Sequence, residues 1–185
     1  MTAKFAKFLM KISGWHYAEE SDAAIEDKRA IFLAAPHTSI LDFVVGYVYA
    51  ASVGMKMRVM IKKEAFFFPL GPILRALGGF PIDRSHPQEM ILGVIREMEK
   101  SDTFYLCLCP EGTRELVRRW KTGYHTIATH TGVPVYAGHY DYKTKAFGHG
   151  PRVELTGDPR ADTERIQKIY RDMNLHALHP ERYVA

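Results

Sequence analysis

At 185 residues, with 46% hydrophobic and 12% aromatic content, the chain is long enough to bury one core and too apolar for a disordered segment. Lys and Arg outnumber Asp and Glu by 25 to 21, a net +4 that suits an anionic lipid surface or a substrate phosphate and does not call for nucleic acid. The two cysteines, Cys107 and Cys109, lie two apart in one apolar run, which excludes a disulfide framework and fits a reducing, cytoplasmic setting.

The first sixteen residues carry helical spacing. At about 100° per residue, Phe5, Phe8, Leu9, Ile12 and Trp15 fall within an arc of about 120°, and Lys4, Lys7 and Lys11 lie along one flank of it. This is the pattern of an interfacial helix, and the same arc would also serve a helix packed on its own domain. No run reaches the roughly 18 apolar residues of a membrane span, so contact with a membrane is expected to be peripheral. Residues 1–20 are accordingly expected to form an amphipathic membrane-surface helix, and residues 21–185 a single domain, since no repeat or long linker divides them.

Further along, residues 30–35, 57–61, 103–108 and 133–140 read as short, apolar, partly β-branched strands of the kind buried on both faces. Between and after them, residues 41–52, 87–100, 123–131 and 162–173 carry helical spacing, with Pro87 suited to a first helical turn. The alternation predicts an α/β fold: a largely parallel, mixed sheet flanked by helices, with the amphipathic helix at its N-terminus. Ligands of such sheets gather beyond the carboxyl ends of the strands, where three polar clusters fall.

The first cluster, HTSILD, has His37 just after a strand and Asp42 at the start of a helix. Five residues on an ideal helix would set them about 140° apart, so they meet only if His37 sits in the preceding turn. A carboxylate that fixes one imidazole nitrogen leaves the other free to take a proton from an alcohol. The pair alone is a weak signal in a chain with nine histidines. Ser39 has no G-x-S-x-G elbow around it, and Thr38 or Ser39 is expected as the N-cap. Amides at the start of that helix are candidates for stabilising an oxyanion. The second cluster, GGFPIDR, offers Gly78 for close backbone approach and Arg84 for bidentate phosphate binding, or alternatively for pairing with Asp83. The third, PEGTR, sets Glu111, Gly112, Thr113 and Arg114 in a turn at a strand end, a natural anion cradle. The remaining histidines show no metal-ligand spacing, and the C-x-C pair reads as core.

Taken in order, HTSILD, GGFPIDR, PEGTR and VPVY, together with the connecting stretch WKTGYHTIATHTGVP, closely resemble the glycerophospholipid acyltransferase family, best known for 1-acylglycerol-3-phosphate acyltransferases. The similarity covers roughly residues 30 to 140. It implies transfer of a fatty acyl group from acyl-CoA or acyl carrier protein to the hydroxyl of a lysophospholipid, at the inner face of a membrane, with no metal or further cofactor. On this resemblance His37 is the base and Asp42 its partner. Gly78, Arg84, Glu111, Gly112, Thr113 and Arg114 form the acceptor site. Pro36 and Glu115 depart from the family, which commonly has Asn and Ser there. The extra acid at Glu115 raises a second acceptor class, a lyso-aminolipid or another membrane alcohol. A lipid-binding module without turnover is the third reading.

Overall fold

The computed structural model describes residues 1–18 and 26–184. Along the chain run α1 (Ala3–Ser13), β1 (His16–Tyr17), β2 (Arg29–Ala35), α2 (Leu41–Ser52), β3 (Met57–Lys62), α3 (Leu70–Ala76), β4 (Gly79–Ile82) and α4 (Pro87–Lys100). There follow β5 (Phe104–Leu108), α5 (Gly123–Thr131), β6 (Val135–Asp141), β7 (Ala146–Gly148), β8 (Arg152–Val153) and α6 (Pro159–Asp172). The strands join in one sheet of order β1-β7-β6-β2-β5-β3-β4, with β8 also on β6. The central strands β6, β2, β5, β3 and β4 are parallel, while β7 and β8 run antiparallel to β6. This is the largely parallel, mixed α/β sheet that the pattern predicts.

Helices α2, α4 and α5 take the predicted bounds. Helix α6 starts earlier than expected, at Pro159, because Asp158 caps the amides of Arg160 and Ala161 and proline suits the first turn. Five elements have no counterpart in the predicted set: α3, of seven residues, β4, of four, and the two- and three-residue strands β1, β8 and β7. Each is too short to show a period.

Side-chain alternation divides the sheet into two unlike faces. Ile31, Leu33, Phe104, Leu106, Val135 and Ala137 point to one, where α4, α5 and α6 cover them with Val94, Met98, Tyr124, Ile127, Ile166 and Tyr170 to make the main core. Right-handed crossovers place α2 and α3 on the other face, because β2 to β3 and β3 to β4 step the opposite way along the sheet from β4 to β5 and β5 to β6. There the packing is incomplete. Ala34 of β2, Gly138 of β6 and Gly46 and Ala50 of α2 are too small to fill the gap between sheet and helix, and a cavity of about 590 Å³ remains.

Helix α1 lies on this second layer. Ala6 and Met10 are buried, and Met10 joins a small core with Tyr49, Tyr140 and Phe147. Phe5, Phe8 and Ile12 stay exposed at 53%, 54% and 64%. Trp15 leaves the predicted arc, because Gly14, in the left-handed conformation at φ +78°, ends the helix at Ser13. Trp15 instead stacks on Phe147, with β1 pairing to β7 directly after it. The expected boundary between residues 20 and 21 lies outside the described residues.

Candidate active site

Four parallel strands deliver the polar groups to one end of the cavity. His37 follows β2, Lys62 ends β3, Arg84 follows β4, and Gly112, Thr113 and Arg114 follow β5, all of them lining the cavity. Beside the Asp42, His139 and His149 side chains, the rest of its wall is mostly apolar: Phe32, Tyr105 and Cys107 from the sheet, Phe43 and Tyr49 from α2, and Leu70 and Leu74 from α3. Its volume lies within the roughly 300–1,000 Å³ of small-molecule sites.

His37 occupies the turn between β2 and α2, as its spacing from Asp42 requires. Its Nδ1 is 3.2 Å from Asp42 Oδ2, close but off the line of a well-aligned hydrogen bond. Asp42 is held from several sides. Its Oδ2 accepts the backbone N–H groups of Thr38 (2.6 Å) and Ser39 (2.8 Å), and its Oδ1 accepts the Tyr142 hydroxyl at 2.7 Å. Burial opposes ionisation of Asp42, yet the His37 side chain, the Ser39 amide, the Tyr142 hydroxyl and the Thr38 amide together hold its carboxyl below the usual range. The dyad therefore joins a fixed carboxylate to an imidazole that is 21% exposed toward the cavity.

This arrangement replaces the expected N-cap. The residue before α2 is Ile40, with no side-chain cap, while Thr38 Oγ1 accepts the His179 amide and Ser39 Oγ accepts that of Leu41. Asp42 reaches back over the turn instead. The amides of Thr38, Ser39 and Leu41 are thus taken up by protein acceptors, which removes them as the expected oxyanion donors.

The third cluster divides between two tasks. Gly112, Thr113 and Arg114 face the cavity, whereas Glu111 is 5% exposed and turned inward. Glu111 Oε1 accepts the His37 backbone N–H at 2.9 Å, while Oε2 is buried without a hydrogen-bond partner among the described residues. Burial is the main reason its pKa is pushed up to about 7, against the backbone N–H groups and His37 that favour the charge. From the second cluster, Arg84 reaches the site and donates from Nη1 to the Gly112 carbonyl (3.4 Å). Asp83 pairs with Lys63 rather than with Arg84. Gly78 does not reach the site. It sits at the opposite end of β4, where φ is +85° and a Cβ would fall 1.9 Å from the Met57 carbonyl oxygen, so its lack of a side chain serves the turn. Glu115 is exposed and outside the cavity wall.

Sequence reasoning missed Lys62, Tyr142 and the cavity itself. Lys62 directly follows the predicted strand 57–61, and only the sheet pairs it with Ile82, two residues before Arg84; the Tyr142 to Asp42 contact spans 100 residues and leaves no local signal. Cys107 and Cys109 line the cavity rather than the packed core, and burial raises both thiols, Cys107 to about 12, which suits wall residues and not nucleophiles.

A family model described as acyltransferase matches residues 15–140. The crystal structure of the 1-acyl-sn-glycerophosphate (LPA) acyltransferase PlsC from Thermotoga maritima is similar in fold, with a TM-score of 0.62 at 18% identity over 96% of this chain and 80% of that one. No curated protein gives a significant sequence match.

Proposed function

The chain belongs to the acyltransferase family, and from that premise we propose that it moves a fatty acyl group from acyl-CoA or acyl carrier protein to the hydroxyl of a lysophospholipid such as 1-acylglycerol-3-phosphate. The observation that carries this reading is the His37–Asp42 pair at the polar end of an apolar cavity, with Arg84, Arg114 and Lys62 beside it. A neutral imidazole whose Nδ1 faces a carboxylate presents Nε2 to the acceptor. As the acceptor oxygen attacks the thioester carbonyl carbon, Nε2 takes its proton and Asp42 stabilises the imidazolium. Collapse of the tetrahedral intermediate breaks the C–S bond, and the proton passes from Nε2 to the departing thiolate. The apolar wall is suited to the acyl chain, and the guanidinium groups to a phosphate.

The position of Glu115 outside the cavity wall favours a phosphate-bearing acceptor over the lyso-aminolipid. PlsC of Thermotoga maritima is a 1-acyl-sn-glycerophosphate acyltransferase, which supports the same acceptor. No described helix is long and apolar enough to cross a membrane. The proposed setting is peripheral, with α1 on the anionic inner face of a membrane and the thioester arriving from the cytoplasm.

The test is thiol release by the purified protein, with acyl-CoA and acyl carrier protein as donors and lysophospholipids with and without a terminal phosphate as acceptors. Release that depends on the phosphate-bearing acceptor is expected. Absence of acceptor-dependent release with either donor would sink the enzymatic reading and leave lipid binding in its place.

A further inference from the structure

Resting on the reading of the chain as a lipid acyltransferase, we propose that the segment between β3 and α3, tipped by Phe67 and Phe68, is a second insertion point into an anionic bilayer. With α1 it seats the cavity mouth at the lipid surface. The first observation is the asymmetry of exposed apolar surface. Among the described residues fourteen large hydrophobic side chains are exposed, and eleven belong to the layer that covers the cavity: four on or before α1, three at the start of α2 and four from Phe67 to Ile73. Helices α4, α5 and α6 on the opposite layer contribute one, Leu92. An apolar surface concentrated on one side of a molecule marks a contact, since scattered single residues would fall evenly on both.

The tip is built rather than frayed. A 3-10 turn at Lys63–Ala65 leads into it, Phe66 lies under the Arg75 guanidinium at 5.0 Å, and Gly71 donates its N–H to the Phe67 carbonyl at 2.7 Å. A Cβ on Gly71 would come within 2.7 Å of the Phe66 carbonyl oxygen, so glycine permits this tight return of the chain. The two rings beyond it are left outside, Phe67 at 60% and Phe68 at 88% exposure.

Why the occupant is a bilayer follows from the cavity and from charge. Leu70, two residues after the tip, and Ile40, at the start of α2, are both exposed and both line the cavity, so the apolar surface runs into its mouth. An acceptor that lives in a membrane then enters without crossing water. Helix α1 carries Lys4, Lys7 and Lys11 and no acid, and Lys62 and Arg75 flank the tip, whereas Lys63 is already paired with Asp83 and Glu64 follows it. Cations around an apolar patch match anionic headgroups around an acyl boundary.

The experiment is co-sedimentation of the full chain with phosphatidylcholine vesicles, with and without phosphatidylglycerol. Three variants accompany it: Phe67→Ser with Phe68→Ser, Phe5→Ser with Phe8→Ser, and all four together. Each pair is expected to weaken partition by about tenfold or more, since one buried Phe is worth roughly 1.5–3 kcal/mol, and the fourfold variant should barely bind. Turnover of a dispersed short-chain acceptor should be unchanged in Phe67→Ser with Phe68→Ser, while turnover of a vesicle-borne acceptor falls in step with binding. In a separate variant, Phe68→Trp, the added tryptophan should shift its emission to the blue when anionic vesicles are added. Vesicle binding that survives Phe67→Ser with Phe68→Ser, or an unmoved emission in Phe68→Trp, overturns the proposal. An unmodified chain that binds vesicles and turns over no acceptor would instead overturn the enzymatic reading.

Discussion

Asp42 is the most constrained group in the site, and its partners define a graded series of substitutions. His37→Ala removes the base and should abolish turnover. Asp42→Asn keeps the shape but loses the charge that holds the imidazole tautomer, and should cost orders of magnitude in kcat with acceptor KM largely kept. Tyr142→Phe removes one charge-assisted hydrogen bond of about 1.5–3 kcal/mol from Asp42, so a fall in kcat of about tenfold is expected with both KM values kept. Steady-state kinetics of the three decide the assignment, and near-normal activity in His37→Ala would refute it. At the other side of the mouth, Arg84→Ala or Arg114→Ala should weaken apparent acceptor affinity by about 1.5–3 kcal/mol and leave donor dependence alone. Lysine is not an equivalent replacement, because it lacks the planar fork. Unchanged acceptor affinity in both alanine variants would place the phosphate elsewhere.

Two glycines show how elements shape the site from a distance. Gly46 lies on the cavity wall in α2, and a Cβ there meets nothing within 4 Å. Gly46→Leu therefore adds bulk to the cavity while improving helix propensity by up to about 1 kcal/mol. It should raise the melting temperature slightly and depress turnover of long-chain donors more than that of short ones; equal effects on both would mean that the acyl chain lies elsewhere. Gly78 is the opposite case. Its positive φ and the Met57 carbonyl leave no place for a side chain, so Gly78→Ala should lower the melting temperature. The acceptor KM of the folded fraction should stay unchanged, and a raised KM without loss of stability would return Gly78 to the acceptor site.

For the whole molecule, the buried Glu111 carboxyl links stability to pH. Its pKa rises from the ordinary glutamate value of 4.5 to about 7 in the fold, so the folded state binds the proton more tightly. Below about pH 4.5 both states are protonated and no penalty exists; from there to about pH 7 the unfolded chain gives up the proton that the fold keeps, so stability falls by an amount on the order of 3 kcal/mol, a loss complete once the buried group ionises. Asp42, Asp141 and Asp162, with lowered pKa values, act in the opposite sense, losing their contribution only as pH drops below the ordinary Asp range. Glu111→Gln keeps an acceptor for the His37 N–H and cannot ionise. Denaturant unfolding from pH 5 to pH 8 should show stability declining in the unmodified chain and a flatter profile in this variant. Parallel profiles would assign the decline to other groups.

The alternation of apolar strands with helical spacing was enough to determine the fold class, because both periods are local properties of the chain. It placed α2, α4 and α5, and it put His37 in the turn where Asp42 could meet it. The first and third polar clusters could be located for the same reason, each following a strand directly, whereas the second contains the short strand β4 itself. What depended on residues far apart in sequence was decided only by tertiary structure. Glu111 turned inward to the His37 amide, Gly78 fell at the far end of its strand, and Tyr142, just past the end of β6, came from the strand beside β2 to hold Asp42. The two faces of the arc on α1 could not be told apart from spacing, since a core and a membrane ask for the same side chains. In the fold Ala6 and Met10 are buried, and Phe5, Phe8 and Ile12 stay outside. The cavity was likewise out of reach, because it arises where small residues of α2, β2 and β6 happen to face one another, a coincidence in space with no period in the chain.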